Sequence, residues 1–375
     1  MKLTTAGESH GKGLFAILEG LPSHLKIDTG EIDRYLALRQ SGYGRGGRQK
    51  IETDRVEILS GVRNTYTLGS PVCFTVKNSD YKNWEAYMSP EECDVSKRTL
   101  TKVRPGHADL SGVIKYAQTD ARNILERASA RETAIRVAAG SILRAYLNEL
   151  GVEISGYVKE VCGVCDEGEY AFGELERAKE QPLFMLNEEK QRQAMLLIDR
   201  LKKEGNTAGG ICEIRVKGLK SGFGSCMTYA DKLDGRLAGA LMGVQAIKGV
   251  EFGMGFGVAH ASGKYVHDEI YYEDNAFKRK TNRAGGIEGG MSNGEEIVVR
   301  CAMKPIPTLM AGLSTVDYIT KETVRAAGER SDVAAICACE IILESVVATV
   351  LAQVVSERLG GDTMAEVKDR YRQLP

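Results

Sequence analysis

The segment from Val333 to Leu359 is the most apolar stretch of the chain and constrains the fold more than any other feature. Glu340 and Glu344 interrupt it, so it does not provide the ~20 predominantly apolar residues in a row that a membrane-spanning helix needs. An apolar helix with a few polar groups is instead typical of the interior of a large protein. The sequence therefore predicts a long buried helix from about Asp332 to Leu359, which Gly360–Gly361 would end.

The spacing of apolar residues predicts further helices and several strands. Helices are expected after Ser129 as far as Gly151, and in regions 31–38, 188–204 and about 231–247. Strand-like segments are 14–18, 56–61, 72–76, 154–161, 211–216, 250–256 and 296–302. The chain exceeds the ~250–300 residues at which one core usually stops growing. No low-complexity linker divides it, however, so the pattern favours one interwoven α+β domain over residues 1–375.

Composition limits the class of protein. A net charge of −1 gives no indication of a nucleic-acid partner, so an anion site would need a local basic cluster. The nine cysteines contain a single CxxC pair, Cys162–Cys165, and no histidine pair has metal-ligand spacing, so no metal site is expected. The N-terminus lacks the apolar core of a signal peptide. We expect a cytoplasmic protein with free thiols and no membrane partner.

The stretch RASARET, from Arg127 to Thr133, combines a predicted helix start with two arginines. Ser129 and Glu132 have the spacing of a capping box, in which each side chain binds a backbone amide of the first turn. The free amides and the positive end of the helix dipole favour an anion there. Arg127 and Arg131 could bind a phosphate or carboxylate through forked hydrogen bonds. The alternative is an ordinary capped helix with solvated arginines.

A second basic stretch, RQSGYGRGGR, runs from Arg39 to Arg48. Arginines on a glycine-rich backbone suit a phosphate-rich ligand, because guanidinium groups bind phosphate with two hydrogen bonds and the loop can approach closely. RNA binding is an alternative, but Tyr43 is the only aromatic residue of the stretch, and RNA-binding surfaces usually stack several bases. The glycines fit GxGxxG but follow a predicted helix rather than a strand, so a dinucleotide fold is not indicated.

Two of the five histidines lie in glycine-flanked segments, His10 in GESHG and His107 in RPGHAD. Such loops often carry functional side chains, and imidazole, with an unperturbed pKa of about 6.5, suits proton transfer near neutrality. A plain surface position is the alternative for each. Asp332, in RSD, could be either a helix cap or a catalytic base.

Together these segments closely resemble the chorismate synthase family. The matching pieces are TAGESHG, RQSGYGRGGRQKIETDRVEILSGV, RPGHAD, RASARETA, QAIKGVEFG, AGGIEGGMSNG, KPIPT and RSD, which extend over nearly the whole chain. The resemblance implies a chorismate synthase-type β-α-β sandwich, with long central helices packed between antiparallel sheets, and a homotetramer. After RSD this chain lacks a proline that is common in the family, so the resemblance does not predict the geometry at the start of the following helix, near Asp332.

The resemblance also implies a reaction. Family members convert 5-enolpyruvylshikimate 3-phosphate to chorismate by an anti-1,4-elimination of phosphate and a proton, the last common step of aromatic amino acid biosynthesis. The reaction requires reduced FMN (FMNH2) without net redox change. The chain has no evident reductase domain, so an external flavin reductase using NADPH is expected to reduce the FMN. The alternative is a degenerate member that binds flavin or nucleotide without catalysis.

The resemblance assigns roles to individual residues. His10 would protonate the leaving phosphate, His107 would protonate the reduced flavin, and Asp332 would assist deprotonation through flavin N5. The residues implied to bind substrate are Arg39, Arg45, Arg48 and Arg131. The residues implied to bind the cofactor are Arg127, Ala128, Ser129, Gln245, Ala246, Gly289, Lys304, Pro305, Ile306, Pro307, Thr308 and Arg330.

Overall fold

The computed structural model describes residues 1–46, 53–326 and 332–375. The α-helices of this part are α1 (Thr29–Gln40), α2 (Asp109–Lys115), α3 (Arg122–Ala128), α4 (Thr133–Asn148), α5 (Glu188–Lys203), α6 (Leu233–Met242), α7 (Ile336–Leu359) and α8 (Met364–Gln373). Its strands are β1 (Lys2–Gly7), β2 (Gly13–Glu19), β3 (Val56–Ser60), β4 (Val62–Arg63), β5 (Tyr66–Thr67), β6 (Val72–Lys77), β7 (Glu153–Val161), β8 (Val164–Cys165), β9 (Gly210–Lys217), β10 (Ile247–Phe252), β11 (Ile270–Glu273), β12 (Ala276–Arg279), β13 (Ile287–Glu288), β14 (Met291–Ser292), β15 (Ile297–Met303), β16 (Ser314–Val316) and β17 (Thr323–Arg325).

Two antiparallel sheets form the outer layers. The first has the order β1-β2-β6-β3, and the second has the order β10-β15-β9-β7-β8. In β2 the side chains of Leu14 and Leu18 are buried while Phe15 and Ile17 are exposed, because successive residues of a strand point to opposite faces. Each sheet therefore turns one apolar face toward the interior.

Helices fill the space between the sheets. α4 packs against β1, β2 and β6 on one side and against α7 on the other, and α7 packs against β7 and β9. α7 is long and apolar enough to cross a membrane, but it is mostly buried inside the protein. This arrangement confirms the predicted α+β sandwich with long central helices between antiparallel sheets.

Two predicted helix starts were wrong. α7 begins at Ile336, and no side chain caps it, because the carboxylate of Asp332 binds elsewhere. Ser129 caps a 3₁₀ turn and accepts from the Arg131 amide. The Glu132 carboxylate accepts from the Thr5 hydroxyl at 3.0 Å, so it does not complete the predicted capping box.

Strand and helix boundaries otherwise differ by a few residues. The predicted helix ending near residue 247 stops at Met242 and is capped by Gly243, and β10 begins at Ile247 and ends at Phe252. The remaining predicted strands lie within one residue of the observed ones at either end.

The two glutamates of α7 lie in a buried charge cluster. Glu344 accepts from Arg144 Nη2 at 2.5 Å and from Lys179 Nζ at 2.9 Å. Burial opposes ionisation of Glu344, but Lys179 and Arg144 outweigh it and hold its pKa below the usual range. Burial and the charge of Glu344 raise the pKa of Glu340 well above its usual range. The environment therefore favours the ionised form of Glu344 and the neutral form of Glu340.

The contact between α4 and α7 depends on Gly140. A Cβ at this position would lie 2.4 Å from Cβ and 2.6 Å from Cα of Ser345. We expect Gly140→Ala to lower the free energy of unfolding by about 1–3 kcal/mol, because the helices must separate. Gly239→Ala is the control, since it is also in a helix but has no atom within 4 Å of the new Cβ. It should be neutral or stabilising by up to about 1 kcal/mol. Denaturant unfolding measures both, and equal stability of the two variants would contradict the close packing.

The different charge states of the two glutamates give a second prediction. Glu344→Gln removes the buried carboxylate that Arg144 and Lys179 share and leaves Arg144 without an ion-pair partner among the described residues, so it should destabilise by about 3–5 kcal/mol at pH 7. Glu340→Gln replaces one neutral group with another and should change stability by less than about 1.5 kcal/mol. Because the folded pKa of Glu344 lies below the unfolded value of about 4.3, its contribution is present above that pH and is lost as the pH falls further. Urea unfolding at pH 7 and below pH 4 tests this, and equal effects of the two substitutions would refute the assignment.

Candidate active site

A cavity of about 660 Å³ lies where segments from both halves of the chain meet. Its walls are formed by the β1–β2 loop, the end of α1, the segments around Trp84 and His107, and the turn between α3 and α4. The segment before β10, the segment after β15 and the first turns of α7 complete it. A cavity of this size is in the range of small-molecule and cofactor sites.

His10 is buried in the β1–β2 loop and is held on three sides. Its Nδ1 lies 2.8 Å from Glu126 Oε1, and its backbone N–H donates to Glu126 Oε2 at 2.8 Å. The imidazole stacks on the indole of Trp84, with 4.0 Å between ring centroids. Because a carboxylate only accepts hydrogen bonds, Nδ1 carries the hydrogen, and Nε2 is the nitrogen that a ligand can use.

His107 has a similar carboxylate partner on another wall. Its Nδ1 lies 2.5 Å from Asp109 Oδ1, and Arg104 Nε donates to Asp109 Oδ2 at 2.8 Å. Burial opposes ionisation of Asp109, but the hydrogen bonds from His107 and Arg104 outweigh it and hold its pKa well below the usual range. Asp109 is thus a fixed negative charge that orients both basic side chains.

Two predicted anion-binding arginines share one buried carboxylate. Arg131 Nη1 lies 2.7 and 2.8 Å from the two oxygens of Asp54, and Arg39 Nη1 lies 3.3 Å from Asp54 Oδ2. Arg39 Nε also donates to Thr133 Oγ1 at 3.0 Å. Burial lowers the pKa of Arg39 to about 10, so it is charged at neutral pH. One carboxylate offsets only one of these two positive charges, which leaves the wall positive.

Asp332 binds the start of the arginine-rich loop within the cavity lining. Its Oδ2 lies 2.8 Å from Arg45 Nη1, and its Oδ1 accepts from the Gly46 N–H at 2.5 Å. This pairing explains why Asp332 does not cap α7.

The cavity also has an apolar side. The start of α7 contributes small and aliphatic side chains, and a segment before β10 places Gln245 beside them. Gln245 Oε1 is buried and has no hydrogen-bond partner within the described part of the chain. A buried acceptor without a donor is costly, so this atom suits a ligand that brings an N–H or O–H group. The apolar residues of this side are Val244, Met303, Ala335, Ala338, Cys339 and Ile342.

Most of the residues implicated by sequence line this cavity together. They are His10, His107, Asp332, Arg39, Arg45, Arg131, Ala128, Ser129, Gln245, Ala246, Lys304, Ile306, Pro307 and Thr308. Arg48 and Arg330 lie outside the described residues.

Three residues expected at the cofactor are not part of the lining. Arg127 is exposed, and its guanidinium donates to Thr5 Oγ1 at 2.7 Å and to the Gly7 carbonyl at 3.3 Å. Gly289 lies in the turn between β13 and β14 with a φ of +57°, and no atom lies within 4 Å of the position of its absent Cβ. Pro305 is absent from the lining although its neighbours are present.

Sequence reasoning missed several residues that shape the site. Trp84, Arg98, Arg104 and Arg122 line the cavity, and Glu126 fixes His10 from behind. Arg104 shares the RPGHAD motif with His107, and Trp84 is the only tryptophan of the chain; both signals could have been used. Arg98 and Glu126 belong to no recognisable short motif, and only the fold reveals their positions.

Within 1–46, 53–326 and 332–375, no three histidine, cysteine or carboxylate side chains are grouped so that they could hold a metal ion. All nine cysteines are free thiols.

The chain is similar to chorismate synthases over nearly its full length. The family model described as Chorismate synthase matches residues 1–355. The chorismate synthase of Syntrophotalea carbinolica is 50% identical over 375 residues, which are 99% of this chain and 97% of that protein. The chorismate synthase of Thermus thermophilus is 50% identical over 372 residues, with coverage of 99% and 97%. A crystal structure of chorismate synthase has a TM-score of 0.80 and 38% identity, and the match covers 99% of this chain and 96% of that one. The chain therefore belongs to the chorismate synthase family.

Proposed function

We propose that this protein eliminates phosphate and a proton from 5-enolpyruvylshikimate 3-phosphate to form chorismate, in an anti-1,4 sense and with reduced FMN bound. As a member of its family the chain is a lyase, and no comparison supports the non-catalytic alternative. The observation that carries the proposal is the convergence of two carboxylate-bound histidines and several arginines on one cavity. A trianionic or tetra-anionic substrate needs such a positive wall.

The arginine wall would bind the charged groups of the substrate. Arg39 and Arg131 share Asp54, so their guanidinium groups are fixed before a ligand arrives. Groups that are already oriented stabilise developing charge without a cost of reorganisation. Arg45 is proposed as a further substrate contact, as is Arg48 outside the described residues.

His10 is proposed as the acid that protonates the departing phosphate. Glu126 binds Nδ1 and the backbone N–H, so the ring cannot rotate freely and a proton on Nε2 would face a ligand.

The residues of the cavity fit a flavin. The apolar side can accept a flat ring system, and the unpartnered Gln245 Oε1 can accept a hydrogen bond from it. Ala246 and the segment from Lys304 to Thr308 would complete this side, together with Ala128 and Ser129. When bound, reduced flavin supplies an electron transiently to weaken the C–O bond and then recovers it.

His107 and Asp332 are proposed to hold and move protons near the cofactor. Asp109 binds Nδ1 of His107, and Arg104 Nη2 lies 3.4 Å from Nε2, so the imidazole is held in one orientation in the cavity lining, where it would transfer a proton. The Asp332 carboxylate also lines the cavity, beside Arg45, where it would assist removal of the substrate proton.

The location of the protein, its assembly and its source of reduced flavin are also part of the proposal. We propose that the protein is cytoplasmic and homotetrameric, and that a separate NADPH-dependent flavin reductase supplies reduced FMN.

The reaction itself can be tested in an anaerobic assay with chemically reduced FMN and 5-enolpyruvylshikimate 3-phosphate. We expect equal amounts of chorismate and inorganic phosphate, measured by absorbance and by a phosphate assay. Oxidised FMN should give neither product, because it has no electron to supply. Product formed equally well without reduced flavin, or none with it, would refute the proposal.

Substitution of the histidines tests their roles. His10→Ala and His107→Ala should each lower kcat by roughly 10²–10⁴-fold, as loss of a general acid does, while the protein remains folded. His260→Ala is the matched control, because this residue is exposed and outside the cavity lining; its kcat should equal that of the wild type. Steady-state rates and circular dichroism provide the measurements. A kcat equal to that of the wild type in His10→Ala would show that His10 is not the acid.

A further inference from the structure

Arg98 differs from the other arginines of the cavity in its partners. It ends the 3₁₀ turn Ser96–Arg98 and is half-buried in the lining. Among the residues that the structure describes, no carboxylate forms an ion pair with it. The other arginines of the lining each have such a partner; the pairs are Arg39 and Arg131 with Asp54, Arg45 with Asp332, Arg104 with Asp109, and Arg122 with Glu126.

Aromatic rings hold Arg98 in place instead. Its guanidinium carbon lies 4.3 Å from the ring centroid of Trp84 and 5.2 Å from that of Tyr87. Trp84 is itself fixed, since its indole N–H donates to Asp80 Oδ2 at 3.0 Å. The backbone carbonyl of Arg98 also accepts from Arg122 Nε at 3.2 Å. Cation–π contacts orient a guanidinium without neutralising its charge.

The same indole connects Arg98 to the proposed acid. Trp84 stacks on His10 with 4.0 Å between ring centroids, so a single side chain positions both the imidazole and the guanidinium. Because both groups contact the same indole and both line the cavity, a phosphate bound between them can contact His10 and Arg98 together, and no carboxylate of the described residues is paired with Arg98. The planar guanidinium can bind a phosphate with two parallel hydrogen bonds.

We propose that Arg98 binds the phosphate group of the substrate beside His10 and retains it as it leaves. This inference rests on the proposed function, because it takes the substrate phosphate as the anion. Arg98 then determines affinity and specificity for a phosphorylated substrate, while His10 supplies the proton.

Arg98→Gln tests this role. We expect KM for 5-enolpyruvylshikimate 3-phosphate to rise about 10- to 100-fold, as expected when charge-assisted hydrogen bonds are lost. The inhibition constant of inorganic phosphate should rise by a similar factor, and kcat should change much less than KM. Arg358→Gln is the matched control, because Arg358 also stacks on an aromatic ring, Phe223 at 4.8 Å, but lies outside the cavity lining. It should leave all three constants unchanged.

A titration of inorganic phosphate, followed by calorimetry without turnover, separates this inference from the proposed function. Weaker phosphate binding by Arg98→Gln supports the subsite even if the wild type forms no chorismate, in which case only the proposed function fails. Wild-type KM and wild-type phosphate affinity in Arg98→Gln would overturn the inference while leaving the reaction intact. If Arg98→Gln does not fold, Arg98→Met keeps the apolar stem of the side chain, and its KM and its affinity for inorganic phosphate provide the same test.

Discussion

The cavity depends on carboxylates placed behind its basic side chains. Asp54, Asp109 and Glu126 are all buried, and each binds at least two hydrogen-bond donors of the wall. Several cations close together would repel one another, and a buried charge without a partner is strongly unfavourable. The carboxylates offset that repulsion and fix each donor before a ligand binds. A positive site can therefore exist inside a folded chain whose net charge is only −1.

The helical layer explains how distant segments reach this site. α7 crosses α4 closely at Gly140, and its first turns form the apolar side of the cavity. Farther along the same helix, Glu344 binds Arg144 of α4, so the two helices are joined by packing and by charge. Glu344, one of the polar interruptions of the most apolar segment, thus attaches α7 to a neighbouring helix.

Local periodicity predicted the elements well, and long-range pairing accounts for most of the errors. The apolar face of α4 and the alternation of buried and less buried side chains in β2 and β15 depend on residues a few positions apart, so local sequence patterns predict them. Glu132 was expected to complete a local cap, but the structure gives it Thr5, which is 127 positions away. A helix cap was one of two interpretations of Asp332, but its side chain pairs with Arg45, which is far away in the chain. Most of the predicted site residues that line the cavity belong to short sequence motifs. The contributions of Trp84, Arg98 and Glu126 to the site depend instead on contacts that form only in the folded chain.

The two sides of the cavity differ in chemistry, and this difference couples the binding of a ligand on one side to the binding of a ligand on the other. The arginine wall with His10 favours a compact, highly charged ligand, and the α7 side with Gln245 favours a flat ligand of low charge density. A charged ligand on the wall is desolvated more completely once the apolar side is covered, and electrostatic interactions strengthen as water leaves. A ring-shaped ligand on the α7 side would therefore strengthen the hold of the arginines on the anion. Catalysis would then be most effective when both ligands are present, because neither side alone excludes water from the proton that His10 is proposed to deliver.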